Sequence, residues 1–228
     1  MKSHIVVEIC TDNWDDTIDA IRLGADRIEL CSDLSNDGLT PSMDLLERVL
    51  NVADKKNVTV FPMIRSRAGD FVYNAEEKQK MLADAKHMAS VGAHGIVVGA
   101  LTSEGHIDIQ FISAISHAVR AVNPKIEITF HKAIDYARIP PGKCLGDVVA
   151  DLEPFCDRVL TSGHRPTALE GAEAIRTVVA RNRRPFVLAA GKIRQENVVQ
   201  IVDLLQVSEV HSRSPLVAVA LGKPQRSV

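Results

Sequence analysis

Gly24-Ala25-Asp26-Arg27-Ile28-Glu29-Leu30-Cys31 is the stretch that decides the fold. Its glycine stands where a helix stops and hands the chain to a strand. Beyond it the residues alternate with a period of two, so Ile28 and Leu30 share one face while Arg27, Glu29 and Cys31 share the other. The same grammar recurs about every thirty residues: a short run rich in Val and Ile, then a longer stretch with helical spacing of apolar positions. The spacing predicts strands over Ile5 to Cys10, Arg27 to Cys31, Val58 to Arg65, Gly95 to Gly99, Ile126 to His131, Arg158 to Thr161, Phe186 to Ala190 and Glu209 to Ser212. Helix starts are signalled by Thr40 before Pro41, by Asn74 with Glu77 and by Thr167 with Glu170. Gly24 and Gly92 read as helix ends, and Phe111, Ile112, Ile115, Val119 and Val122 form one apolar helical stripe. Eight strands alternating with helices fit a (β/α)8 TIM barrel better than an open doubly wound sheet. The stretch from Pro215 to Val228 is too short for a full eighth helix, so an abbreviated C-terminal closure is expected.

The 228 residues suit a single barrel domain over positions 1–228. With 46% hydrophobic and 25% charged residues, the composition excludes a disordered or fibrous chain. A formal charge of −2 without a long basic run argues against a nucleic-acid partner, and the apolar runs are too short for a membrane span. Cys10, Cys31, Cys144 and Cys156 follow no C-x-x-C spacing, which points to a reducing, cytoplasmic setting.

Parity sorts the strand residues. If the apolar set faces the helices, then Glu8, Cys10, Arg27, Glu29, Cys31, Arg65, Glu127, Thr129, His131, Glu209 and His211 face the lumen. Such a charged interior requires pairing, coordination or a polar ligand, because an unpaired buried ion costs several kcal/mol. Arg27 with Glu29 or Glu127 is the expected packing pair. Active sites of barrels lie at strand C-termini, which selects Cys10, Cys31, Arg65, His131, Ser162 and His211. Cys10 and Cys31 end adjacent strands with the same parity, and two soft thiolates suit Cu(I), with Met63 or a nearby histidine as a third donor. The competing reading is that both are small buried hydrophobes. Cys144 and Cys156 read as core, His4, His87 and His117 as surface or packing residues, and His106 and His164 as loop residues of the same mouth.

A second chemistry is compatible with the same mouth: an enzyme on a small anionic metabolite, phosphorylated or not. Arg65 would orient the anion, Glu8 or Glu29 act as base, and His131 or His211 as acid. The loop Arg65 to Phe71 has the composition of an anion clamp. Ser162, Gly191 and Ser212 follow strands six, seven and eight, where barrels bind phosphate through backbone N–H groups. No organic cofactor is expected.

Several ordered segments resemble the CutC family. They are Glu8-Ile9-Cys10, Gly24 to Ser32, Thr40-Pro41-Ser42, Met63-Ile64-Arg65 with Gly69-Asp70-Phe71 and Tyr73, and Gly99-Ala100-Leu101 with Gly105 to Asp108. Further along stand Thr129 to Ala133 with Asp135, Arg158 to Gly163, Ala168 to Gly171 and His211-Ser212. The resemblance covers nearly the whole chain. It implies a TIM barrel, a cytoplasmic homo-oligomer and a role in copper tolerance, with Cu(I) bound at cysteines that map onto Cys10 and Cys31. The chain departs from the family at Ser66 and Ala68, where Pro and Gly are usual, and at Ala189-Ala190-Gly191-Lys192, where the family is glycine-rich. Each added Cβ counts against a backbone phosphate cradle there.

Overall fold

Asn13, Ser42 and Asn74 start the first three helices in the same way. Each side-chain oxygen accepts the N–H three residues on, from Asp16, Leu45 and Glu77 respectively, satisfying a donor that the first helical turn leaves free. Glu77 also reaches back to the Asn74 N–H at 2.8 Å, completing a capping box. The helices so begun are α1 (Trp14–Arg22), α2 (Met43–Asp54) and α3 (Ala75–Ser90).

The computed structural model describes residues 4–228. The strands are β1 (Val6–Thr11), β2 (Arg27–Leu30), β3 (Thr59–Ile64), β4 (Gly95–Val98), β5 (Glu127–Phe130), β6 (Arg158–Thr161), β7 (Phe186–Ala189) and β8 (Glu209–Ser212). They pair in parallel and in chain order, and β8 returns to β1 with Glu8 opposite His211, so the sheet closes as a (β/α)8 barrel. The outer layer continues with α4 (Ile109–Val122), α5 (Leu145–Ala150), α6 (Ala172–Arg181), α7 (Val198–Leu205) and the five-residue α8 (Leu216–Ala220), the abbreviated closure expected from the sequence. Ile9, Ile28, Val60, Ile96, Ile128 and Val159 turn outward into one buried layer with helix residues such as Leu46, Ile112, Ile175 and Ile201. This outward set leaves the alternate residues to the lumen, as parity requires.

Four readings of the sequence change. The second helix starts at Ser42 and not at Thr40-Pro41. Thr40 is used elsewhere: its hydroxyl accepts from the Arg65 N–H at 2.9 Å and donates to the Arg65 carbonyl at 3.0 Å, tying the loop after β2 to the end of β3. Thr167 accepts from the Glu170 N–H at 3.1 Å but closes only one turn, and α6 begins five residues later at Ala172. Val122 lies outside the buried stripe of α4, whose inner face runs Phe111, Ile112, Ile115, Ser116 and Val119. Several expected strands also run one residue too long, because the chain turns into a βα loop once its last paired residue has passed.

The lumen floor is an ion-pair lattice. Arg27 donates to both Glu8 and Glu209, while Arg158 donates to Glu209 at 2.9 Å and to Glu127 at 2.9 Å. This corrects the expected pairing, since Arg27 meets neither Glu29 nor Glu127. The two guanidiniums flank the Phe61 ring, with their carbons 5.0 and 5.3 Å from its centroid. Gly95 makes room for that ring: a Cβ on it would run into the Phe61 edge.

Outside the floor, residues after α8 fasten the first βα unit. Asp26 accepts the Val7 N–H at 2.9 Å and pairs with Lys223, and Arg226 donates to the Ala25 carbonyl at 2.7 Å.

Removing one member of the floor lattice leaves a buried charge without its partner. Arg27→Met is therefore expected to cost about 3–5 kcal/mol, read as a fall in the urea midpoint. The exposed Arg22→Ala is expected to change stability by about 0.5 kcal/mol or less.

Candidate functional site

Above the floor, the strand C-termini surround a cavity of about 390 Å³. Its walls include Cys10, Glu29, Met63, Arg65, His131, His211 and Ser212, so most residues selected from the sequence converge on one space. Glu8 does not reach it, being wholly buried beneath. His106 and His164 are not on its walls either, and His106 lines a separate shallow depression with Arg138 and Asp151. Cys156 is core as expected, and half-buried Cys144 receives Arg181 Nη1 at 3.6 Å.

β1 and β2 carry the thiols. Cys10 lies opposite Glu29 in the register, and Cys31 follows the last residue of β2 with lumen parity. Their sulfurs are 3.7 Å apart, and Cys31 Sγ is 3.7 Å from Glu29 Oε1. Both sulfurs and the Glu29 carboxylate form one compact group of ligand atoms, packed beside Met63. The contact with Cys31, together with burial, pushes the Cys10 thiol well above its ordinary range. For Cys31 the Cys10 contact alone would lower the value, but burial and Glu29 overcome it and lift the thiol to about 11. The thiols are thus protonated at neutral pH, and a metal must displace those protons.

A proton-holding chain runs beside them. Burial would raise Glu8, but the Arg27 charge and the His211 hydrogen bond hold it down at about 2. His211 Nδ1 meets Glu8 Oε1 at 2.7 Å. Burial would lower His211, yet Glu29 and Glu8 together raise it. Glu29 itself is raised by burial against the pull of His211, and its Oε2 has no protein partner. Glu8 and Glu29 therefore differ in environment: one is locked as a carboxylate, the other opens onto the cavity.

His131 is set differently. Its Nδ1 accepts the Ala133 N–H at 3.1 Å, which places the proton of a neutral ring on Nε2. Burial and then the Arg65 charge lower it to about 3, so the ring is neutral at physiological pH. Gly99 permits the position, since a Cβ there would collide with the imidazole. Arg65 serves the loops first: Nη1 donates to the Asn36 and Gly38 carbonyls at 3.0 and 3.2 Å, and Nη2 to Gly69 at 2.8 Å. In the loop beyond, Arg67 is taken up by Glu77 and Asp70.

The residues selected for phosphate binding divide. Ser162 is absorbed by Asp135, whose carboxylate accepts from the Ser162 N–H and hydroxyl, both at 2.9 Å, and from the His164 N–H at 3.0 Å. Ser212 donates to the Ile193 carbonyl at 2.8 Å. Gly191 lines the cavity. Sequence reasoning missed Lys132 and Arg194, which reach the same cavity. Their signal was positional: Lys132 directly follows His131 at a strand end, and Arg194 stands three residues after Gly191.

Residues 5–215 match the sequence profile of the CutC family. A family protein CutC of Histophilus somni is 35% identical over 206 residues, covering 90% of this chain and 80% of that protein. The human copper homeostasis protein cutC homolog is 37% identical over 211 residues, covering 90% of this chain and 72% of its own. A CutC crystal structure from Streptococcus agalactiae superposes with a TM-score of 0.82 at 27% identity, over 92% of this chain and 99% of that one. Phosphoribosyl anthranilate isomerase of Thermococcus kodakaraensis, at 12% identity and a TM-score of 0.56, shares the barrel alone.

The Glu8 environment has a consequence for acid stability. A carboxylate held near 2 in the fold, against an ordinary 4.5, stabilises the fold fully above pH 4.5, and that contribution is lost as pH falls toward 2. In urea titrations across this range, the stability gap between the native chain and Glu8→Gln is expected to narrow as pH drops. A gap independent of pH would contradict the assignment.

Proposed function

Because the chain belongs to the CutC family, we propose that it acts in copper homeostasis by binding Cu(I) between the Cys10 and Cys31 thiolates at the barrel mouth. The observation that carries this reading is the 3.7 Å approach of the two sulfurs at the end of adjacent strands, one of them on the cavity wall. Thiolate is a soft donor that favours Cu(I) over the harder divalent ions, so the donor set fits the ion. Met63 packs in the same cluster and offers a soft thioether as a third donor. Glu29 supports the pair electrostatically, since its carboxylate is the nearest negative group to a bound cation. Copper is cargo in this reading, and no reaction is attributed to it.

The buried setting suits such a role. Cys31 is fully buried and Cys10 is 5% exposed, so the ion would be shielded from oxidants and from competing small thiols. Entry would be from the cavity side, past Met63 and Glu29. The described residues include no helix long and apolar enough to cross a membrane.

Anaerobic competition with a chromophoric Cu(I) chelator tests the reading on the native chain and on Cys10→Ser/Cys31→Ser, with circular dichroism to confirm folding. Stoichiometric binding that disappears in the folded double variant is expected. Equal binding in both proteins would remove the site.

A further inference from the structure

We propose that the mouth cavity also binds a small phosphate monoester, its phosphoryl group held by the loop after β7 and by Arg213, and its organic part lying toward His131. The copper reading uses the β1 and β2 side of the mouth and leaves the neighbouring β7 and β8 side unexplained.

Three observations converge. First, the consecutive N–H groups of Gly191, Lys192 and Ile193 have no protein acceptor among the described residues, and all three residues line the cavity. Gly191 at φ 104° and Lys192 at φ 53° both hold left-handed backbone, which for a lysine is costly and needs a reason. Successive amides in such turns converge into a concavity that receives an anion. The loop after β6 shows how the fold fills a comparable arrangement. There the Asp135 carboxylate occupies the Ser162 and His164 N–H groups, whereas in the β7 loop the one side-chain acceptor, Asn197 Oδ1, takes the Arg194 N–H at 2.8 Å and leaves the three preceding amides unfilled. The family departures at Ala189 and Ala190 do not decide against this cradle, because Ala189 packs in the outer core and Ala190 against Leu160 and Leu188.

Second, the surrounding charge is positive. Lys132, Lys192 and Arg194 line the cavity without a carboxylate partner among the described residues, and Arg213 has only the exposed Asp37 at 3.2 Å. Two ammonium groups and two guanidiniums around three free amides suit a dianion better than a monoanion.

Third, His131 supplies an uncharged donor across the cavity. The residue is 3% exposed, and its Nε2 is buried without a partner, an arrangement that costs stability unless a ligand completes it. A neutral imidazole N–H complements an ester, hydroxyl or carbonyl oxygen of the organic part, where a second cation would not be needed. A cavity of about 390 Å³ limits that part to a few carbons.

The test is a titration of the ¹⁵N-labelled full chain with inorganic phosphate and, separately, with glycerol 3-phosphate at constant ionic strength. Saturable shifts centred on the Gly191, Lys192 and Ile193 amides are expected, with the ester binding more tightly than inorganic phosphate. Lys192→Ala and Arg213→Ala, both at exposed positions, should each weaken binding by about tenfold. His131→Asn should weaken the ester while leaving inorganic phosphate unchanged. Shifts that stay linear with concentration, that scatter over other basic residues, or that persist in the Lys192 and Arg213 variants would overturn the proposal. The same titration on Cys10→Ser/Cys31→Ser is expected to be unaltered, so failure here and failure of the copper reading are separate results.

Discussion

The contact between Arg27 and Glu8 is the constraint from which the rest follows. An isolated charge in the middle of a barrel is not tolerated, so each charged residue on the floor requires the next. Arg27 needs Glu8 and Glu209, Glu209 needs Arg158, and Arg158 draws in Glu127. These residues come from β1, β2, β5, β6 and β8, so the lattice fixes strands from both halves of the chain in one register. The two guanidiniums face three carboxylates, an imbalance that favours a proton on His211. Through that histidine the floor also sets the charge state of the mouth. Glu8 is spent on structure, and the carboxyl left to face the cavity is Glu29.

Much of this architecture was legible because it rests on periodicity. Alternation placed Arg27, Glu29 and Cys31 on the lumen side and Ile28 and Leu30 outside, and the structure agrees at each position. The approach of Cys10 to Cys31 follows from equal parity at adjacent strand ends. Pair identity was not legible in the same way. Arg27 selects Glu8 and Glu209 over Glu29 through barrel stagger and side-chain reach, which no local pattern encodes. The loops resisted for a related reason. Thr40 has the local signature of a cap, yet its hydroxyl is claimed by the Arg65 backbone twenty-five residues away. Ser162 has the signature of a phosphate loop, yet Asp135 reaches it first.

The mouth is divided by chemistry. On the β1 and β2 side lie sulfur and carboxylate donors, soft or proton-bearing and screened from solvent. On the β7 and β8 side lie free amides and cations. His131 stands between, held neutral by burial and by Arg65, and admitted by the missing side chain of Gly99. On the copper reading, which calls for only two sulfurs, this division gives the remaining polar chemistry of the mouth a separate place.

The fastening of the first βα unit bears on the order in which the protein can be made. Asp26 is locked by Lys223, and the Ala25 carbonyl is capped by Arg226, each about two hundred positions downstream. β1 also lacks its second neighbour until β8 has been synthesised. A nascent chain emerging from the ribosome therefore carries an unsealed first strand, with the Glu8 carboxylate still short of His211, until β8 has been made. The lumen charges stay wet during that time, and they are dried together only when β8 arrives. Sealing the barrel thus waits on β8 and on the Lys223 and Arg226 contacts that follow α8, so the first strand synthesised is among the last to be completed.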